Sequence, residues 1–172
     1  SLGHRNPQGL YYSKKFDFIL STEHGPKGGD EVNLINLNDN SNKNYGWPIS
    51  SYGFHYDGKK REYAPLFKSH KDHGFVEPLI YFTPSIGISE IIQVDELFEK
   101  EKNNYYFVSA LGYKDQINEG DQSLHLIRID NLDNNLSGKK IEQITLNERI
   151  RDIQLIDNNL LLSLESSPAL GL

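Results

Sequence analysis

The chain's 172 residues suffice for one domain with a real core but not for two ordinary ones. With 18 Lys and Arg against 24 Asp and Glu, a formal net charge of -6 leaves no basic field to hold a nucleic acid backbone, and 37% hydrophobic with 24% charged residues excludes a membrane protein and argues against wholesale disorder. The chain has no Cys and no Met, which rules out a disulfide scaffold, a thiolate metal site and a cysteine nucleophile; the start at Ser1 without a leader, and the end soon after a strand-like run, lead us to expect a fragment of a longer chain.

In chain order, residues 16–21, 31–37, 77–82, 90–94, 105–111, 123–130, 141–146, 150–156 and 159–164 are rich in Ile, Leu, Val, Tyr and Phe and read as strands. Turn signals separate them: residues 38–42, Asp57-Gly58, Glu119-Gly120-Asp121, Asn134-Asn135, Ser137-Gly138 and Asp157-Asn158-Asn159. Only residues 94–103 have a helical look, and no apolar run approaches the ~20 residues that span a bilayer. Closely spaced strands with hairpin-length connections, and no helical crossovers, predict an antiparallel all-β architecture: a sandwich, a barrel or a propeller. Residues 38–47 and 52–75 are too polar and too rich in Gly, Lys and His for a core, so the functional face is expected there.

The most informative segment is Glu23-His24-Gly25-Pro26-Lys27-Gly28-Gly29-Asp30-Glu31, followed by a strand and then Asn44-Tyr45-Gly46-Trp47-Pro48. Gly-Pro and Gly-Gly force a tight, exposed backbone whose carbonyls at Gly25 and Pro26 need not enter a sheet ladder. Free carbonyls beside the carboxylates of Asp30 and Glu31 suit a hard cation such as Ca²⁺, which takes mixed oxygen donors; a solvated acidic pair at a strand start is the plainer alternative. In Gly3-His4-Arg5-Asn6-Pro7-Gln8-Gly9-Leu10, a cationic fork and two amides sit on a stiff turn. That arrangement fits a polyanionic or quinonoid ligand, or an exposed turn with a surface ion pair. In Glu148-Arg149-Ile150-Arg151-Asp152 the two arginines share a strand face, fit for carboxylates or phosphates, or simply alternate with acids on a solvated face. His70 and His73 lack a third ligand for zinc and read as a polar loop. A phosphate-cradling Gly-rich loop and a Gly-x-Ser-x-Gly elbow are both missing from the sequence.

In this order, the Gly-His-Arg-Asn-Pro-Gln-Gly-Leu run, the Glu-His-Gly-Pro run through Gly-Asp-Glu-Val-Asn-Leu-Ile, Asn-Tyr-Gly-Trp-Pro and the late Arg-x-Arg-Asp closely resemble the glucose/sorbosone dehydrogenase family, the soluble aldose dehydrogenases that depend on pyrroloquinoline quinone (PQQ). The resemblance implies a six-bladed β-propeller of which this chain is roughly the C-terminal half, one partial domain over residues 1–172 with no second domain. It implies oxidation of an aldose at its anomeric carbon by hydride transfer to PQQ, with Ca²⁺ and Arg5 polarising the quinone and an external electron acceptor downstream. Arg5, Asn6, Gln8, His24, Ser85, Arg149 and Arg151 would then meet the cofactor. Gly25 and Pro26 would offer carbonyls to its Ca²⁺, and Asp30, Glu31 and Tyr45 would form a separate calcium site. The family's histidine base lies upstream of the first motif. A periplasmic or secreted home, no nucleic acid partner, no membrane span and room for a homodimer complete the expectation.

The chain departs from the family pattern twice. Gly112 in Ser109-Ala110-Leu111-Gly112 stands where members often carry a cofactor-contacting lysine, leaving Lys114 as a substitute, and Gly87-Ile88-Ser89-Glu90 differs from the commoner Ala-Pro-Ser-Gly, so an altered sugar pocket is expected. The rival function is a non-catalytic, calcium-stabilised propeller that binds carbohydrate or protein.

Overall fold

The computed structural model describes residues 1–14, 16–97, 104–112, 121–132, 135–165 and 170–171. They are nearly all strand and turn, in two compact units, Ser1–Ser85 and Ile86–Leu172.

The first unit is a meander of four antiparallel strands in the order β1-β2-β3-β4: β1 (Pro7–Ser13), β2 (Phe18–Glu23), β3 (Asp30–Asn36) and β4 (Ile80–Phe82). The sequence places β1 in a stiff turn, and the structure makes it a strand. Pro7 takes its first position on the sheet's edge, where a missing N–H removes no ladder bond. Leu20 and Val32, both fully buried, occupy the central strands, and β2 pairs with β3 so that Glu23 faces Glu31. Between β3 and β4, residues 37–79 form the long irregular insertion that the sequence predicts, with a 3₁₀ turn at Lys71–His73. Contrary to expectation it has its own interior: Tyr45, Ala64, Leu66 and His70 are buried. Isolated bridges pin it at Leu2–Asn44, Lys27–Phe54 and Ser50–Phe67, and the Lys68 ammonium donates to the Ser51 and Gly53 carbonyls.

The second unit holds two sheets. β5 (Ile88–Gln93), β6 (Tyr105–Ala110), β7 (Ser123–Leu132) and β8 (Asn135–Thr145) repeat the four-stranded meander, and β9 (Ile150–Ile156), β10 (Asn159–Leu164) and β11 (Leu170–Gly171) form a smaller sheet in the order β11-β10-β9. β9 and β10 match their expected bounds, since Asp157 and Asn158 adopt the positive φ their hairpin turn requires. The expected turn at Ser137-Gly138 is instead strand, paired with Asp130 and Ile129, because the ladder continues from the β7–β8 connection along an edge that tolerates glycine. The helical look of residues 94–103 reduces to a 3₁₀ turn at Asp95–Leu97; residues 98–103 lie outside the described set.

Successive side chains of β6 and β7 leave opposite faces of their sheet, and both faces are apolar. Phe107, Leu124 and Leu126 pack with Ile150 and Ile153 of β9 and with Leu160 and Leu162 of β10, while Tyr106, Val108, Ile127 and Ile129 are buried on the other face. A sheet whose two faces are both apolar and buried is what a propeller blade requires. Buried Ser89 ties this sheet to the next, donating to the Ile150 carbonyl at 2.6 Å and bonding Ser109 Oγ at 2.8 Å. The architecture is therefore all-β and that of a partial β-propeller.

Candidate functional site

In the first unit, a narrow recess opens among Gly3, Arg5, Glu23, Gly25, Glu31 and His70, with Tyr45 and Trp47 on its wall. Strand register builds it. Glu23 ends β2 directly across from Glu31 at the start of β3, and Asn33, two residues on, shares the face of Glu31. Asn33 Nδ2 donates to Glu23 Oε1 at 2.6 Å and to Glu31 Oε2 at 3.1 Å. Its own Oδ1 is buried with no hydrogen-bond partner among the described residues.

The two glutamates are treated differently. Burial pulls the Glu23 carboxyl up, but the His4 ring at 3.1 Å, the Arg5 N–H at 2.7 Å and Asn33 outweigh it and hold Glu23 below the usual carboxylate range. Glu31 has no such set of donors. Burial first, then the charges of Glu23, Glu77 and Asp30, push its carboxyl up to about 8 against one bond from Asn33. His70, fully buried, lies 3.5 Å from Glu31 Oε1, and burial pulls its pKa down despite nearby Glu77. Buried oxygens with excess negative charge and an unused amide oxygen suit a hard cation.

The loop of residues 24–29 adds main-chain oxygens. A Cβ at Gly25 would stand 2.2 Å from the Gly29 carbonyl oxygen and 2.5 Å from that of Gly28, so only glycine permits this close approach. The carbonyls of Gly25 and Pro26 accept no hydrogen bond among the described residues. Asp30 takes the opposite strand face from Glu31 and accepts from the Gly25 N–H at 3.1 Å, shaping the loop. Tyr45 is buried, stacks on His4 at 4.4 Å and donates its hydroxyl to the Leu34 carbonyl at 2.6 Å. Among the described residues no three His, Cys, Asp or Glu side chains are arranged to hold a metal ion, so a calcium ion bound here would have to draw on carbonyls as well as carboxylates. The donor set fits that mixed chemistry.

Arg5 stands beside this loop. Its Nη1 donates to the His24 carbonyl at 3.0 Å and its guanidinium lies 5.2 Å from the Trp47 ring centroid, while Nε is buried and unpartnered among the described residues. A held, incompletely satisfied guanidinium is a ready donor to a ligand oxygen. Asn6 and Gln8 are exposed and bond each other at 3.1 Å. Ser85, after the cis Thr83–Pro84 bond, closes the first unit and does not line the recess. Sequence reading gives no role to Glu23, Asn33 and Trp47 and assigns His70 to a polar loop; strand alternation from Glu31 points to Asn33.

Arg149 and Arg151 belong to the second unit, at the start of β9, and both meet Glu165. Gly112 has φ 86°. A Cβ there would fall 2.3 Å from Gln122 Cγ and 2.4 Å from the Asp121 carbonyl oxygen, so this backbone has no place for the lysine common in the family. Lys114 lies outside the described residues.

The family described as Glucose / Sorbosone dehydrogenase matches residues 1–169. Aldose sugar dehydrogenase YliI of Escherichia coli (strain K12) is 33% identical over 117 residues, 68% of this chain and 30% of YliI. Quinoprotein glucose dehydrogenase B of Acinetobacter calcoaceticus is 48% identical over 48 residues, 28% of this chain and 9% of that protein. The crystal structure of the soluble aldose sugar dehydrogenase from Escherichia coli in the apo-form superposes with a TM-score of 0.72 at 26% identity, covering 93% of this chain and 42% of that one. The chain thus spans less than half the length of these relatives.

Proposed function

The chain belongs to the glucose/sorbosone dehydrogenase family, and from that premise we propose that it forms part of a PQQ- and Ca²⁺-dependent dehydrogenase that oxidises an aldose at its anomeric carbon. The observation that carries the reading is the recess of the first unit. There an incompletely satisfied guanidinium, Arg5, adjoins a glycine-dependent carbonyl loop and a pair of buried glutamates, one of them pushed up to about 8. When bound, PQQ supplies a two-electron acceptor for the hydride of the sugar, and Ca²⁺ supplies a Lewis acid.

This chain's residues bind and orient. Arg5, fixed by the His24 carbonyl and Trp47, would turn the rest of its guanidinium toward a ligand oxygen that gains negative charge. Asn6, Gln8, His24 and Ser85 complete the proposed contacts on that unit. Gly25 and Pro26 would give carbonyls to the cofactor's calcium, and Glu31, with the Tyr45 main chain and Asp30 nearby, would hold a separate structural one. The Arg149 and Arg151 guanidiniums suit the cofactor's carboxylates. An external acceptor would reoxidise the cofactor, and a homodimer is compatible with this account. No helix among the described residues is long and apolar enough to cross a membrane, and a periplasmic or secreted protein is the setting we propose.

One observation favours a second reading, a calcium-stabilised propeller that binds without catalysis: the backbone at Gly112 has no room for the family's lysine. Titration of PQQ into the full-length protein separates the two, first with Ca²⁺ and then with chelator. Calcium-dependent binding supports the dehydrogenase; a protein that calcium stabilises but that takes up no PQQ supports the binding module.

A further inference from the structure

Two guanidiniums on one strand repel each other, and a long arginine side chain loses rotamer freedom whenever it is held for a ligand. The second unit meets both difficulties with one carboxylate. The register of β9 against β10 shifts between Ser163 and Leu164, whose partners are Asp152 and Ile150, so Arg151 is the extra residue of a bulge that re-aims its side chain. Directly after β10, Glu165 donates its N–H to the Arg149 carbonyl at 2.9 Å, which fixes the root of its side chain beside the pair. Its Oε2 then lies 3.3 Å from Arg149 Nε and 2.6 Å from Arg151 Nε.

Both contacts use the inner nitrogens. Among the described residues no side chain other than Glu165 pairs with either guanidinium. We propose that Glu165 is a positioning residue: by gripping Arg149 and Arg151 from the Nε side with one oxygen, it presents their terminal amino groups as a single preformed receptor for a ligand carboxylate. This rests on the reading of the arginine pair as the site for the cofactor's carboxylates. Planar guanidiniums read carboxylates through paired N–H groups, so orientation decides whether both arginines act at once.

The sign of one substitution separates positioning from mere charge. If Glu165 were only a negative neighbour, neutralising it would strengthen binding of an anion. If it positions the pair, Glu165→Gln weakens PQQ binding by about 2- to 5-fold, the range in which partly exposed ion pairs act. Glu165→Asp keeps the charge but withdraws it by one methylene, so weaker binding there reports geometry alone, and it carries the test if Glu165→Gln melts early. The experiment is an absorbance titration of PQQ into the calcium-loaded, full-length protein, comparing the parent, both Glu165 variants, Arg151→Ala and the Glu165→Gln/Arg151→Ala double variant, with melting temperatures as a folding control. Weaker binding in both Glu165 variants, with a double variant whose loss falls short of the sum of the two single losses, supports the proposal through that coupling, and strictly additive losses overturn it. Loss of affinity in Arg151→Ala with unchanged or tighter binding in Glu165→Gln and Glu165→Asp overturns it alone. Unchanged affinity in Arg151→Ala overturns the carboxylate reading of the pair, and the proposal with it.

Discussion

Replacing Glu31 by glutamine should stabilise the metal-free protein at high pH and abolish its response to calcium. The residue is 6% exposed, and its carboxyl is pushed from an ordinary 4.5 up to about 8 by burial, with Glu23, Glu77 and Asp30 adding to it. A carboxyl whose folded pKa lies above its unfolded value keeps its proton in the native state after the unfolded chain has released it. Its contribution is therefore fully present below about pH 4.5, declines as pH rises to about 8, and is flat above that. At about 1.4 kcal/mol per pH unit the window spans on the order of 5 kcal/mol as an upper bound. Glu31→Gln keeps the acceptor for Asn33 Nδ2 and never ionises. Less the cost of one new buried amide N–H, it should exceed the parent by about 2–4 kcal/mol at pH 9 in chelator. Urea unfolding of the full-length protein at pH 6 and pH 9, with chelator and with Ca²⁺, reads both effects. A variant no more stable than the parent at pH 9 in chelator, or equal stabilisation of both proteins by Ca²⁺, would refute the reasoning.

Three other substitutions probe separate parts of the account. Arg5→Lys removes the planar fork beside Trp47 while keeping the charge, and PQQ affinity in the full-length protein should fall about tenfold with an unchanged melting temperature; undiminished affinity would remove Arg5 from the site. Gly25→Ala forces a Cβ against the carbonyls of Gly28 and Gly29, so the loop must shift and calcium should lose most of its stabilising effect in a thermal melt, whereas an unaltered calcium response would show that the loop's carbonyls are not ligands. Ser89→Ala leaves the Ile150 carbonyl without the hydroxyl that donates to it at 2.6 Å and should cost about 1–3 kcal/mol in urea unfolding without altering PQQ affinity.

The sequence made the second unit's strands plain because their apolar runs are long and their turns carry Asn, Asp and Gly at positions of positive φ, as at Asp157 and Asn158. It hid β1, since Pro7 beside two amides looks like a turn until its place on a sheet edge is known. The carbonyl loop at Gly25 and Pro26 was legible because Gly-Pro and Gly-Gly constrain backbone directly. The pairing of Glu23 with Glu31 was not, because cross-strand register joins residues eight positions apart through a connection whose length alone does not set it. His70 reaches Glu31 from the irregular insertion, where no period guides the eye. Glu165 escaped for a related reason: it meets Arg149 and Arg151 only through a bulge in the β9–β10 ladder.

The most direct test of the central claim is dye reduction by the full-length protein, loaded with PQQ and Ca²⁺, across a panel of simple aldoses. The account predicts sugar-dependent turnover that disappears on chelation and falls in Arg5→Lys. A protein that binds PQQ in the presence of calcium yet reduces the dye with no aldose would contradict it.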